Sequence, residues 1–146
     1  MRSVYLAGPL FSLAERDFNR RLADALLELD ASLWVILPQE RSIALLPLPN
    51  GVALAYQDCL DMLKSCHVVV AILDGADSDS GTCVELGIAH GNGKPIIGVR
   101  TDFRALEDRG LNLMVSHICT ALVLPDNLTI ASLALRVLAL IHQLIP

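Results

Sequence analysis

The sequence predicts an α/β protein built on one parallel sheet. Short apolar runs alternate with longer stretches of helical periodicity along its 146 residues. The run "HVVVAIL" (67–73) is apolar without a break, as a strand buried on both faces must be. Alternation of this kind implies right-handed crossovers and helices on both sides of the sheet. The length suits one domain, 1–146, and no repeat, low-complexity segment or linker divides it.

The elements follow in order. "SVYLA" (3–7) is the first strand, stopped by Gly8-Pro9. Ser12 can cap a helix to about Leu29, with Ala14, Phe18, Leu22, Ala25, Leu26 and Leu29 on one face. "WVILP" (34–38) is the second strand; a proline-containing loop with Gly51 follows, then a helix from about Val52 to Ser65. Beyond the buried third strand, Thr82 to about His90 reads as helical. "PIIGV" (95–99) and "ICTALVL" (118–124) are the fourth and fifth strands, and a last helix runs from about Asn127 to Leu144. Five strands so spaced suggest a flavodoxin-like or Rossmann-like three-layer sandwich, in which ligands bind beyond the carboxyl ends of the strands. That rule gathers "AGPLF", "PQE", the acidic loop after strand three and "RTDFR" on one edge.

Composition narrows the partners. Apolar residues make up 53% and charged residues 18%, which marks a core-rich globular chain. A net charge of −5 argues against a nucleic-acid or anionic-membrane partner. The cysteines (59, 66, 83, 119) form no CxxC pair and read as small buried hydrophobes in a reducing compartment. No signal peptide is visible, and Arg136, His142 and Gln143 interrupt the apolar C-terminal stretch, so a cytoplasmic protein without a membrane span is expected. In the last helix Leu128, Ile130, Leu133, Leu135, Val137, Leu138, Leu140, Ile141 and Leu144 point nearly all round the axis. Such a helix needs cover on more than one side, and a homo-oligomer is expected.

The segment "DGADSDSGTCVELG" (74–87) crowds Asp74, Asp77, Asp79 and Glu85 just past a buried strand. Thr82-x-x-Glu85 fits a capping box, which would leave the aspartates as solvated loop residues. The same spacing also permits chemistry. A carboxylate in the first helical turn is favoured as an anion by the macrodipole, and Asp79 could face Glu85 across a ligand. One ionised carboxylate as nucleophile and one carboxylic acid as proton donor is the pairing that retaining glycosidic-bond chemistry requires. No Walker loop or GxGxxG is present, and "AGPLF" has no Lys or Arg nearby before Arg16. It is a poor phosphate cradle, so a small neutral substrate is expected.

Taken together, "YLAGPLFSLAE", "DSDSGTCVELGIAHGNGKPIIGVRTDFR" and "NLM" resemble the nucleoside 2-deoxyribosyltransferase family, from Tyr5 to Met114. The resemblance implies transfer of 2-deoxyribose between nucleobases, with 2′-deoxynucleosides and free bases as partners and no cofactor or metal. It implies that Glu85 attacks C1′ and forms a covalent deoxyribosyl-enzyme, which a second base then attacks with net retention. Asp79 matches the family aspartate that serves the base, and Tyr5 a tyrosine that holds the nucleophile. Asn112 matches an asparagine supplied by a neighbouring subunit to the sugar 5′-hydroxyl, in agreement with the expected oligomer. Phe11 is placed against base or sugar and Gln39 at a base edge. Gly8, Gly81 and Met114, inside the matching motifs, complete the expected substrate contacts. Many relatives carry an aspartate where Cys59 stands here; either the adjacent Asp58 substitutes with a shift of register, or Asp79 acts alone. His67, which opens strand three, is expected to be structural. A 2′-deoxynucleoside 5′-monophosphate N-hydrolase is the rival enzyme and needs phosphate donors; Arg100 and Arg104 lie in a different loop from "AGPLF". A non-catalytic nucleoside-binding domain is the rival of another class, with no use for Tyr5, Asp79, Glu85 and Asn112 together.

Overall fold

In a computed structural model that describes residues 1–104, 111–126 and 128–146, five strands form one parallel sheet. They are β1 (Arg2–Ala7), β2 (Leu33–Ile36), β3 (Val68–Ile72), β4 (Ile96–Val99) and β5 (Ala121–Val123), in the spatial order β2-β1-β3-β4-β5. The helices described are α1 (Leu13–Leu29), α2 (Pro38–Leu45), α3 (Gly51–Ser65), α4 (Ser80–Gly91), α5 (Leu113–Ile118) and α6 (Ile130–Leu144). The strand order reverses between β1 and β3, where Val4 pairs with Val68 and Ala7 with Ala71. A crevice opens at such a switch point beyond the carboxyl ends of the strands.

The two-residue period of the strands sorts their side chains into two cores. Val4 and Leu6 of β1, with Val68 and Val70 of β3, meet Leu22 and Leu26 of α1 and Val137 and Ile141 of α6. Tyr5 and Ala7, with Val69 and Ala71, face the opposite way, toward Leu63 of α3 and Leu86 and Ala89 of α4. Thus β1 delivers a tyrosine to the α3–α4 side of the sheet. At the amino edge, His67 is exposed and its Nδ1 accepts the Ser3 amide at 3.0 Å, a structural contact away from the carboxyl edge.

Ser12 caps α1 as the sequence predicts. Its hydroxyl accepts the Glu15 amide at 3.2 Å, and Glu15 returns to the Ser12 amide at 2.6 Å. Three expectations are corrected. The segment read as a proline-rich loop contains α2, because a proline at the first helical position loses no needed hydrogen bond. A short α5 follows Asn112. The last helix starts at Ile130, where Thr129 and Ser132 form the capping box, and the expected start at Asn127 falls outside the described residues. Its apolar residues are also covered from within the chain. Leu133, Ala134, Val137 and Ile141 are buried, Leu138, Leu140 and Leu144 pack partly on the same core, and Leu135 is exposed. α6 therefore gives no reason to require a second subunit. Exposed large apolar side chains instead collect along α2 and α3, at Ile43, Leu46, Leu48, Val52 and Tyr56. Among the described residues no helix is long and apolar enough to cross a membrane.

Gly98 in β4 leaves room for its neighbours: a Cβ there would lie 2.6 Å from Leu122 Cδ2 and 2.9 Å from both Cys119 Sγ and Leu73 Cδ1. Gly98→Ala is expected to cost about 1–3 kcal/mol by overpacking and to lower Tm by roughly 2–10 °C in a thermal melt. An unchanged Tm would show that Leu122 and Leu73 yield without strain.

Candidate active site

Tyr5, 1% exposed, reaches across from β1 to α4, where its hydroxyl donates to Glu85 Oε1 at 2.6 Å. The start of α4 explains why Glu85 points there. Asp79 is the N-cap, and its Oδ2 accepts the Thr82 amide at 2.8 Å and the Thr82 hydroxyl at 3.0 Å. The helix therefore begins two residues before Thr82, and the expected Thr82–Glu85 capping box does not form. An aspartate three residues ahead has taken the Thr82 amide, and Thr82 donates instead of capping. Glu85 consequently sits in the second turn, beyond the reach of the helix-terminal charge.

Burial now governs its acidity. The Glu85 carboxyl is pushed up to about 7 by burial, with the Tyr5 hydrogen bond opposing and the Asp79 charge adding to the rise. The macrodipole argument, which favoured the anion, is overruled because desolvation acts on the whole charge. Tyr5 is driven far above its ordinary range by burial, then by the Glu85 charge and hydrogen bond, and so stays a donor.

The acidic residues of the loop thus separate by task. Asp74 accepts the Thr101 amide at 2.6 Å and the Asp102 amide at 2.9 Å, tying the loop to the end of β4. Asp77 is exposed, Asp79 caps α4, and Glu85 is held by Tyr5.

Cys59 on α3 neighbours Tyr5 and Glu85, and burial pushes its thiol up, so it faces the pair uncharged. With Leu60, Leu63, Gly81, Val84 and Ile88 it lines a cavity of about 340 Å³ against Glu85. Asp58 turns away: both its oxygens accept from the Arg41 guanidinium of α2. Of the two candidates for the substituted position, only Cys59 stands at the Tyr5–Glu85 pair. Gln39 also departs from expectation. Because α2 starts at Pro38, Gln39 is turned inward; its Nε2 donates to Arg16 O and its Oε1 accepts from Asn19 Nδ2, each at 3.0 Å. Asn19 donates as well to Pro9 O at 3.0 Å, so Gln39 and Asn19 brace the first loop, and the Gln39 amide is not free for a base.

Gly8 permits that loop to close on β3, since a Cβ would lie 3.0 Å from Ile72 Cβ. Phe11 is 73% exposed and not a core residue. The sequence reading set Arg16 aside as lying past the first loop and missed Arg41. Arg16 folds back from α1 so that Nη1 donates to Phe11 O at 2.5 Å, which brings a cation to the first loop. Arg41 meets its partner from another helix, a contact that no sequence spacing signals.

Asn112 caps α5, its Oδ1 accepting the Met114 amide at 2.9 Å, and both residues are exposed. They line a cavity of about 600 Å³ with Cys83, Gly87 and His90, on the other flank of α4 from Glu85. Among the described residues, the cavity that Asn112 lines and the one that Glu85 lines are separate. A larger hollow of about 730 Å³ beside Leu48, Val52 and Tyr56 contains no pair of titratable groups, and the chemistry is better read at Glu85.

A parallel sheet presenting a half-buried, tyrosine-held carboxylate at its carboxyl edge, with a second carboxylate at the start of the same helix, defines a site suited to glycosidic-bond chemistry. Over residues 4–121 the sequence matches the family described as nucleoside 2-deoxyribosyltransferase, and the chain belongs to it. Solved structures share the fold. A conserved protein from Enterococcus faecalis is 25% identical, with a TM-score of 0.74 and 98% of each chain covered. A 2-deoxyribosyltransferase from Bacillus psychrosaccharolyticus is 24% identical, with a TM-score of 0.67, covering 90% of this chain and 95% of that one. A 2-deoxyribosyltransferase from Leishmania mexicana is 19% identical, with a TM-score of 0.67 and 98% of each chain covered. A comparison with curated proteins found no match.

The Glu85 proton couples to stability. The folded chain holds it up to about 7, whereas an unperturbed glutamate releases it near 4.5. The contribution is therefore full below about 4.5 and is lost as pH rises through about 7. Glu85→Gln is expected to remove this slope and to exceed the native chain by about 2–3 kcal/mol at about pH 8 in urea unfolding. Parallel pH–stability curves would show that Glu85 ionises as it does in water.

Proposed function

We propose that this chain transfers 2-deoxyribose between nucleobases, cleaving the N-glycosidic bond of a 2′-deoxynucleoside through a covalent deoxyribosyl-Glu85 intermediate. The observation that carries the reading is the Tyr5–Glu85 hydrogen bond beside the Asp79 cap. Tyr5 occupies Oε1 and leaves Oε2 as the attacking oxygen. As Oε2 bonds to C1′, the bond from C1′ to the base nitrogen breaks, and the base takes its electron pair together with a proton from Asp79. Asp79 engages Thr82 through Oδ2, so Oδ1 is the oxygen that carries this proton. The incoming base then attacks C1′, returns a proton to Asp79 and frees the Glu85 carboxylate; two inversions give retention. One proton between two carboxylates serves the cycle, on Asp79 when Glu85 attacks. Water in place of the second base gives hydrolysis.

The remaining roles follow from position. Cys59 meets the base as a neutral thiol where relatives use an acid. Gly81 lines the cavity at Glu85 and Phe11 stands exposed on the first loop. Asn112 and Met114 serve the site of a neighbouring copy in a homo-oligomer, because within the chain they lie across α4 from Glu85. Such an enzyme belongs to cytoplasmic salvage of deoxynucleosides and acts without a metal or cofactor. One observation favours a second reading: Arg16 at the first loop is a cation where a 5′-monophosphate N-hydrolase would need one.

Incubation of deoxyinosine with adenine, followed by chromatography, is expected to yield deoxyadenosine. Free hypoxanthine alone would indicate hydrolysis, faster turnover of deoxyinosine 5′-monophosphate would favour the second reading, and an unchanged trace would leave only a binding module. A fluorinated deoxynucleoside is expected to add its sugar mass to the peptide containing Glu85, and Glu85→Ala to abolish both turnover and labelling. With one proton shared by Glu85 and Asp79, kcat/KM should fall as pH rises through about 7, where the pair loses that proton. Asn112→Ala is expected to lower kcat/KM by about tenfold or more, beyond the roughly 1 kcal/mol of stability lost with the cap; unchanged kinetics would remove it from the site.

A further inference from the structure

A buried arginine that the proposed chemistry does not use stands behind the acidic loop. Arg100, 1% exposed, follows β4. Its Nη1 donates to Leu73 O at 2.7 Å and its Nη2 to Gly75 O at 3.1 Å. The loop answers in kind. Asp74 Oδ1 accepts the Thr101 and Asp102 amides at 2.6 and 2.9 Å, and its Oδ2 accepts the Thr101 hydroxyl. Asp102 in turn accepts the Gly75 amide at 3.2 Å. The sheet itself requires none of these bonds, because the β3–β4 ladder already closes with Leu73 N donating to Val99 O at 2.8 Å. Burying a guanidinium is expensive, and a simple tie between two loops could be made more cheaply by apolar contact.

The lacing acts on a loop with little freedom left. Gly75 has φ +119°, and a Cβ there would lie 2.8 Å from Asp77 O. Four residues further on, Asp79 is anchored through Thr82. Between these anchors the loop must keep one carboxylate close to another, and the Asp79 charge does act on Glu85.

We propose that Asp74 and Arg100 form a latch that sets the position of the Asp79 carboxylate relative to Glu85, making them positioning residues for proton transfer to and from the base. The assignment rests on the proposed function in giving Asp79 that proton. The groups that face Glu85 are Tyr5 from β1, Cys59 from α3 and Asp79 from the start of α4, with the Arg41 guanidinium acting on Tyr5 and Cys59 from behind. A change in Glu85 ionisation that leaves Tyr5, Cys59 and Arg41 intact therefore reports on Asp79.

The test uses Asp74→Asn, Thr101→Val and Arg100→Lys in the full chain, with folding checked by thermal melts. Carbon-13 carboxyl NMR should show the Glu85 titration moving down toward the ordinary glutamate range, and the Thr82 amide should exchange with solvent about tenfold faster or more. In base exchange, kcat should fall about tenfold or more while KM stays within about twofold, and the pH–rate limb should shift with the NMR titration. Arg100→Lys, which keeps the charge but has a single donor nitrogen, should lie between the native chain and a fourth variant, Arg100→Met, which keeps neither. Variants with the native Glu85 titration, Thr82 protection and pH profile, losing activity only in proportion to folded protein, would overturn the latch. If the native chain neither exchanges nor hydrolyses deoxynucleosides, the proposed function falls, and the substrate-free titration and exchange measurements still decide the latch.

Discussion

The hydrogen bond from Tyr5 to Glu85 joins the sheet to α4, and the rest of the candidate site is arranged around it. Its 2.6 Å length depends on β1 alternation turning Tyr5 to the α3–α4 side, and on α4 starting at Asp79 so that Glu85 faces inward. Burial makes the carboxyl reluctant to ionise; the hydroxyl offsets part of that cost and fixes which oxygen stays free. A tyrosine driven far from its own ionisation suits the task, because it cannot pass its proton to the group it holds.

Around this contact the polar residues divide into those that meet the pair and those that hold backbone in place. Asn19 and Gln39 brace the first loop, Asp74 and Arg100 lace the third loop to the fourth, and Arg41 secures Asp58 between α2 and α3. Each joins elements distant in sequence. The carboxyl edge of the sheet is therefore a set of loops pinned from below, consistent with chemistry that depends on carboxylate spacing.

What could be read from the residues alone follows the range over which each signal acts. The strands, the two flanking layers, the Ser12 cap and the distinctive block around Glu85 are local patterns, and all were legible. The start of α4 was not, because Asp79 and Thr82 are both good caps, and only the fold decides whether the helix opens with the Thr82 amide on Asp79 or one turn later. Gln39 and Asp58 looked free because their partners, Arg16, Asn19 and Arg41, come from other elements. The all-round apolar character of α6 is explained along the same lines. Periodicity counts apolar faces but does not reveal that α1 and the sheet together can cover most of them.

The uncharged thiol at position 59 has an electrical consequence. Glu85, which lines the cavity with Cys59, already feels the negative charge of Asp79 at the start of α4. An acid in place of Cys59 would bring a further anion against Glu85 and make the glutamate still harder to ionise. Sulfur there adds no charge of its own, and the Glu85 carboxyl rises no further than about 7, within reach of ionisation at neutral pH.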